Sequence, residues 1–452
     1  MTDTTSQQGV ALAPLTSMRV GGAAERLIEP ATERELLEAT QQVWAAGDDW
    51  CVLGGGSNVL VSDEGFDGTV IRVVTRGIVR VGAPSGTVRL RVQAGESWDG
   101  LVQYAVANGW AGFEGLSGIP GSVGAAPIQN IGAYGQEAAD SLYSVDFLDY
   151  DSGRVQRLAA AELGLGYRTS IFKQGRTGLV LSVTFDLVDV PVPADHSASA
   201  SASASASDDA FRADPSLTLG QPINFPQLAA SLGVPLGARV PLAEVRRTVL
   251  ALRAGKGMVL SDADPDSVSC GSFFTNPIVT ENFARALPAD VPRWLIEPEE
   301  EAIVVPLPDR GIGELDVQAA GISGRLPSAA PLPADAADLS FAADLSDRAP
   351  VAAHTEDWAS PAPQASAADV SLASGPLVKL SAAWLIEAAG IDKGYRLPGS
   401  RAAISTKHTL AIVNTGGATA ADVAELARYI QQRVSAQFGI TLTPEPVYIG
   451  FE

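Results

Sequence analysis

The stretch GLSGIPGSVGAAPIQNIGAYGQE (residues 115–137) carries six glycines in twenty-three residues and no basic residue. A second run, LGGGSN (residues 53–58), ends the apolar tetrapeptide WCVL. Neither run ends in Gly-Lys-Ser/Thr, and neither is a G-x-G-x-x-G between strand and helix with an acid about 20 residues on. What remains is a pair of loops, each following a strand, that can hold the two halves of a dinucleotide through backbone N–H groups without positive charge. The consecutive amides of Gly54, Gly55, Gly56, Ser57 and Asn58, with the Ser57 hydroxyl and the Asn58 side chain, suit a pyrophosphate. In the second loop, Pro120 fixes one φ within Gly118-Ile119-Pro120-Gly121, while Gly124, Gly132 and Gly135, with Asn130 among them, keep a surface clear for a flat ligand. The bland alternative is a pair of ordinary tight turns.

The flanks alternate between helical and strand patterns. TERELLEATQQVWAAG (residues 32–47) offers Thr32 and Glu35 as a capping box, Leu36, Leu37 and Val43 as an apolar stripe, and Gly47 as a stop. WCVL and GGGSNVLVSDEGFDGTVIRV read as strand, glycine turn, strand, turn, strand, with Asp67-Gly68 expected at the second turn. SWDGLVQYAVANG suggests a capped helix, and VDFLDYDSGRVQRL a hairpin about Ser152-Gly153. Downstream, VPLAEVRRTVLALRAGKG, KLSAAWLIEAAG and TAADVAELARYIQQRVSAQFG read as helices, the last with Val423, Leu426, Ile430 and Val434 on one face. TLAIVN and PVYIG read as strands, so an α+β chain in two parts is expected.

Composition narrows the classes. With 452 residues, 46% of them hydrophobic, the chain can bury a sizeable core and make two or three domains. No leader pattern and no run of about 18 apolar residues is present, which predicts a soluble, cytoplasmic protein. Cys51, Cys270 and three histidines supply neither a disulfide framework nor zinc spacing, so no metal is expected. The net charge of -21 argues against nucleic acid and anionic lipid as partners. Two segments stand apart. HSASASASASASDD (residues 196–209) is a Ser/Ala alternation, expected to be a flexible linker within residues 191–220. Residues 327–375 hold sixteen alanines, six prolines, seven acidic residues and a single Lys or Arg, Arg348, and are expected to be a disordered insertion.

GGGSNVLVSD, GLSGIPGSVG, QNIGAYGQE, YRTSIFK, CGSFFTNP, KLSAAWLIEAAG and LTPEPVYIG, in this order, resemble the UDP-N-acetylenolpyruvoylglucosamine reductases (MurB) of bacterial peptidoglycan synthesis. The resemblance covers about residues 15–280 and 376–450. It implies an FAD-binding domain of the vanillyl-alcohol-oxidase type, in two subdomains, over residues 15–190. A substrate-binding α+β domain would follow over residues 221–452. It also implies noncovalently bound FAD, NADPH as hydride source, a UDP-sugar enolpyruvyl ether as acceptor, and a monomer.

By the same resemblance, Ser272 is the proton donor, Arg168 orients it or stabilises the enolate, and Glu445 assists at the other end of the alkene. Tyr167, Lys256, Asn276 and Lys379 match substrate-binding positions, Lys256 also meeting the NADPH phosphates. From the residues alone, Ser272 would be a turn serine, Arg168 and Glu445 a salt bridge, and the lysines solvated. Phe225 stands where many members carry tyrosine, and His408 where some carry glutamine. Cys270 is set aside, because reduction of an enol ether asks for no covalent thiol. The competing readings are an oxidase of the same superfold and a non-catalytic flavin- or nucleotide-binding protein. The absence of histidine from the first 195 residues removes one usual tether for covalent flavin in such an oxidase.

Overall fold

The computed structural model describes residues 6–189, 218–296 and 376–451. All of them belong to one compact unit of the chain, and the second unit, residues 297–354, lies outside the described residues. The acidic insertion expected at 327–375 and all but the end of the expected linker also fall outside them. The last three linker positions are ordered: Thr218 is buried, Leu219 bridges Pro241, and the Gly220 N–H donates to the Val240 carbonyl.

The expected capping box forms. Thr32 accepts from the Glu35 N–H, Glu35 reaches back to the cap, and the helix Glu33–Ala46 ends at Gly47 with φ +76°. It crosses between the strands Ala23–Ile28 and Trp50–Leu53, both parallel to Phe66–Arg72, while Ser6–Ala11 adds an antiparallel edge. Asp67 and Gly68 do not make a turn. They lie inside Phe66–Arg72, where a Cβ on Gly68 would meet the Asp49 carbonyl at 2.5 Å; the chain reverses instead at Asp63-Glu64 before Gly65, whose φ is +87°. Local turn propensity lost here to a neighbouring backbone that only glycine can approach.

A second sheet is antiparallel, in the order Val155–Ala159, Leu142–Asp149, Gly178–Asp189, Thr87–Gln93, Ile78–Val81. Val155–Ala159 and Leu142–Asp149 are the expected hairpin, turning at Gly153 with φ +64°. The helix Trp98–Ala107, capped by Ser97, helps close the core between this sheet and Glu33–Ala46, where Trp98, Phe113 and Phe185 pack edge to face. The helix Ala420–Phe438 buries Val423, Leu426, Ile430 and Val434 as expected, together with Phe273 and Phe274. That core also takes in Met18, Val20 and Leu60 from the N-terminal part. The reason lies in the strand Val447–Ile449, which pairs in parallel with Val59–Val61 directly after the first glycine loop.

Candidate active site

A cavity of about 620 Å³ lies between the two glycine loops and the segment around Ser272. Gly54, Gly55, Gly56, Ser57, Asn58, Ile119, Pro120, Gly121, Gly124 and Gly132 line it; Gly118 and Asn130 do not. The glycines are bare for a reason the sequence does not show. A Cβ on Gly55 would sit 2.6 Å from Gly121 Cα, one on Gly121 2.7 Å from Ser57 Oγ, and one on Gly54 2.6 Å from Ser122 Oγ. The loops press backbone to backbone on each other, and Gly124 presses likewise on Ala94. The bareness of Gly54, Gly55 and Gly121 thus serves protein packing.

What the loops offer to the cavity is N–H groups. Among the described residues, the amides of Gly54, Gly55, Gly56, Ser57, Gly121 and Ser122 donate to no protein acceptor. Gly56 and Ser122 are buried, and buried amides are nearly always paired, so this row of donors suits an acceptor-rich guest such as a pyrophosphate. Val52, Val73, Ile119, Ile131, Leu179 and Val180 add apolar wall for a flat ring. The residues therefore fit FAD. The Ser57 and Asn58 side chains, expected to face the ligand, are engaged within the protein. Ser57 Oγ donates to the Pro120 carbonyl at 3.1 Å, and Asn58 Nδ2 donates to Gln129 Oε1 at 2.8 Å and to the Glu445 carbonyl at 3.1 Å. Asn130 likewise ties Glu137 and Gly166 together.

Ser272, Arg168 and Glu445 come together on this cavity. The strand that follows Glu445 brings it beside the first glycine loop, and Arg168 Nε lies 3.3 Å from Glu445 Oε1. The Arg168 Nη1 and Nη2 groups donate to the Asn130 and Gly132 carbonyls at 3.1 and 2.7 Å. Arg168 has φ +55°, a conformation L-residues seldom hold without surrounding constraint. Burial pushes the Glu445 carboxyl above its ordinary range, and Arg168 and Lys173 pull it back in part. Lys173, which lines the cavity, is moved downward by burial, against the pull of Glu445. The sequence reading passed over this lysine although it closes the quoted YRTSIFK. The Ser272 hydroxyl makes no hydrogen bond to protein among the described residues and faces the cavity with its proton free. Cys270 is buried in the cavity wall, its thiol pushed up to about 12 by burial, and it donates to the Val59 carbonyl.

The expected substrate residues fall into two groups. The Asn276 N–H donates to the Tyr167 hydroxyl at 3.4 Å, and Lys379 Nζ lies 4.8 Å from the Tyr167 ring centre. Of these three, Asn276 alone lines the cavity. Lys256 lies at another end, bonded to Gln227 and 5.4 Å from the Tyr134 ring centre, its ammonium lowered by burial and by neighbouring Arg253. Arg253, missed in the sequence, is nine-tenths buried, lines the cavity and has an Nε without a partner among the described residues. Phe225 packs on Tyr134 at 5.6 Å, so a phenol lines this end although position 225 lacks one. Among the described residues no cluster of His, Cys, Asp or Glu could hold a metal, and no helix is long and apolar enough to cross a membrane.

Residues 24–159 match the FAD binding domain family, and residues 264–449 match the C-terminal domain of UDP-N-acetylenolpyruvoylglucosamine reductase. The chain is 52% identical to the UDP-N-acetylenolpyruvoylglucosamine reductase of Leifsonia xyli over 97% of this chain and 98% of that one. It is 39% identical to that of Saccharopolyspora erythraea, over 98% and 95%. The solved MurB structure from Thermus caldophilus shares the fold, with a TM-score of 0.52 and 23% identity over 98% of each chain. An FAD-binding domain joined to a UDP-N-acetylenolpyruvoylglucosamine reductase C-terminal domain defines a flavin-dependent oxidoreductase. The chain belongs to the UDP-N-acetylenolpyruvoylglucosamine reductase (MurB) family.

Proposed function

We propose that this protein reduces the enolpyruvyl ether of UDP-N-acetylglucosamine to UDP-N-acetylmuramate with electrons from NADPH, in the cytoplasm. The observation that carries the reading is the convergence of Ser272 and the Arg168–Glu445 pair on the cavity whose wall is the two unpaired rows of loop amides.

The amides of Gly54, Gly55, Gly56, Ser57, Gly121 and Ser122 would hold FAD by its pyrophosphate. When bound, FAD supplies the hydride relay from nicotinamide to alkene. Reducing the alkene requires hydride at its β-carbon and a proton at its α-carbon. Ser272 donates that proton; a hydroxyl is a weak acid, but the enolate carbon is a strong base. Arg168, held by Glu445 and two carbonyls, keeps its charge directed at the carboxylate on which negative charge develops. Glu445, raised by burial, can hold a proton nearer neutrality than an exposed carboxyl. Lys256 and Arg253 supply two cations for ligand phosphates, and Asn276 with Tyr167 and Lys379 flanks the sugar nucleotide.

The test is spectroscopic. The purified protein should be yellow, should bleach with NADPH without air, and should regain colour on addition of UDP-N-acetylenolpyruvoylglucosamine. Recolouring by oxygen but not by the enol ether would favour the oxidase reading. A protein whose bound flavin NADPH leaves oxidised would be a binding module.

A further inference from the structure

We propose that Asp99 is a positioning residue that rivets the second glycine loop to the helix carrying Arg253 and Lys256, so that flavin loop and phosphate-binding cations form one rigid clamp. Asp99 stands in the first turn of the helix Trp98–Ala107 and does not line the cavity. Its Oδ1 accepts from the Gly118 N–H at 2.6 Å and from Arg246 Nη1 at 2.6 Å, and its Oδ2 accepts from Arg246 Nη2 at 2.9 Å. A forked guanidinium–carboxylate pair fixes orientation as well as distance. Burial works to raise the Asp99 carboxyl, but the bonds from Arg246 and Gly118 outweigh it and hold it below the ordinary range.

Arg246 lies on the helix Leu242–Gly255, and Leu250 and Arg253 follow it on the same face at helical spacing. That face rests on Gly118, where a Cβ would come within 2.7 Å of Leu250 Cδ2 and 3.5 Å of Arg253 Nε. Gly118 is therefore the seat of the helix, and one carboxylate holds both halves of the contact. The first residue of the helix, Leu242, is anchored in the main core, but beyond it Val245 and Val249 pack into a small separate core with Ile223, Leu228 and Val240. Its cations would drift relative to the flavin loop if the rivet were cut. The phosphate role of those cations rests on the function proposed above; the rivet itself does not.

The experiment uses flavin-loaded protein and the variants Asp99→Asn, Arg246→Gln and Lys256→Ala. Backbone hydrogen exchange should accelerate about tenfold or more at residues 250–258 in Asp99→Asn and Arg246→Gln, and stay unchanged in the helix Ala420–Phe438. UDP affinity, measured by calorimetry, should fall roughly tenfold in Asp99→Asn while flavin occupancy is retained. In a Lys256→Ala background the Asp99→Asn change should then cost less UDP affinity than in wild type, because one of the two cations it positions is already gone. Unchanged exchange at 250–258, or UDP losses that simply add, would overturn the proposal. Wild-type protein that does not bind UDP would count against the proposed substrate, and the exchange measurement would still decide the role of Asp99.

Discussion

Gly121→Ala tests whether the two glycine loops form a single flavin-binding wall. Gly121 has φ +120°, a region closed to alanine, which costs on the order of 1–3 kcal/mol. The new methyl would stand 2.7 Å from Ser57 Oγ and would force that side chain away from the Pro120 carbonyl. Losing that hydrogen bond adds about 1 kcal/mol. A total of about 2–4 kcal/mol falls on the loops that carry the unpaired amides, so the FAD dissociation constant should rise roughly 30- to 1000-fold. Gly153→Ala is the matched control: φ is +64°, and nothing lies within 4 Å of the added Cβ. It should lower the melting temperature slightly and leave FAD binding alone. Titrating the deflavinated variants with FAD, read by quenching of flavin fluorescence, separates the two. If Gly121→Ala binds FAD within about twofold of wild type, the loop–loop contact does not shape the site.

Ser272→Ala should leave NADPH bleaching of the flavin near normal and slow its reoxidation by the enol ether about 10²-fold, as rapid mixing of each half-reaction would show. His408, its pKa lowered from 6.5 to about 4 by burial and then by Lys256 and Lys393, binds its proton more tightly in the unfolded chain. Stability should therefore be full above pH 6.5 and decline by up to about 3 kcal/mol toward pH 4, a loss that His408→Gln removes in urea titrations across that range. Cys51 and Cys270, both pushed up to about 12 by burial, should resist alkylation by iodoacetamide at pH 8 until urea is added, and mass spectrometry of the labelled protein checks this.

Local signals carried far in this chain. Thr32 with Glu35, Gly47 and the stripe from Val423 to Val434 were legible because capping and helical periodicity are written within a few residues. The convergence of Ser272, Arg168 and Glu445 was legible through motif resemblance alone, since no spacing links positions so far apart. What stayed hidden depends on tertiary neighbours. Asp67-Gly68 looks like a turn until the Asp49 carbonyl is seen beside it. Arg253 looks like a surface cation on an amphipathic helix until its burial is measured. The glycines of 54–58 and 115–137 stand out in the sequence, but no sequence pattern says that the two loops lie on one another.

The parallel pairing of Val447–Ile449 with Val59–Val61 bears on how the protein is made. As the chain leaves the ribosome, Leu60 and Met18 must wait for roughly two hundred further residues before Cys270, Phe273 and Phe274 of their core exist, and Val59–Val61 for almost four hundred before its partner strand does. Until then the strand beside the flavin loop has an open edge and an uncovered apolar face, the kind of surface that recruits chaperones or other nascent chains. A fragment cut near residue 190 would keep that edge for good. It should be sticky and poor in flavin, however complete its glycine motifs look, because this fold closes its first half with its last strand.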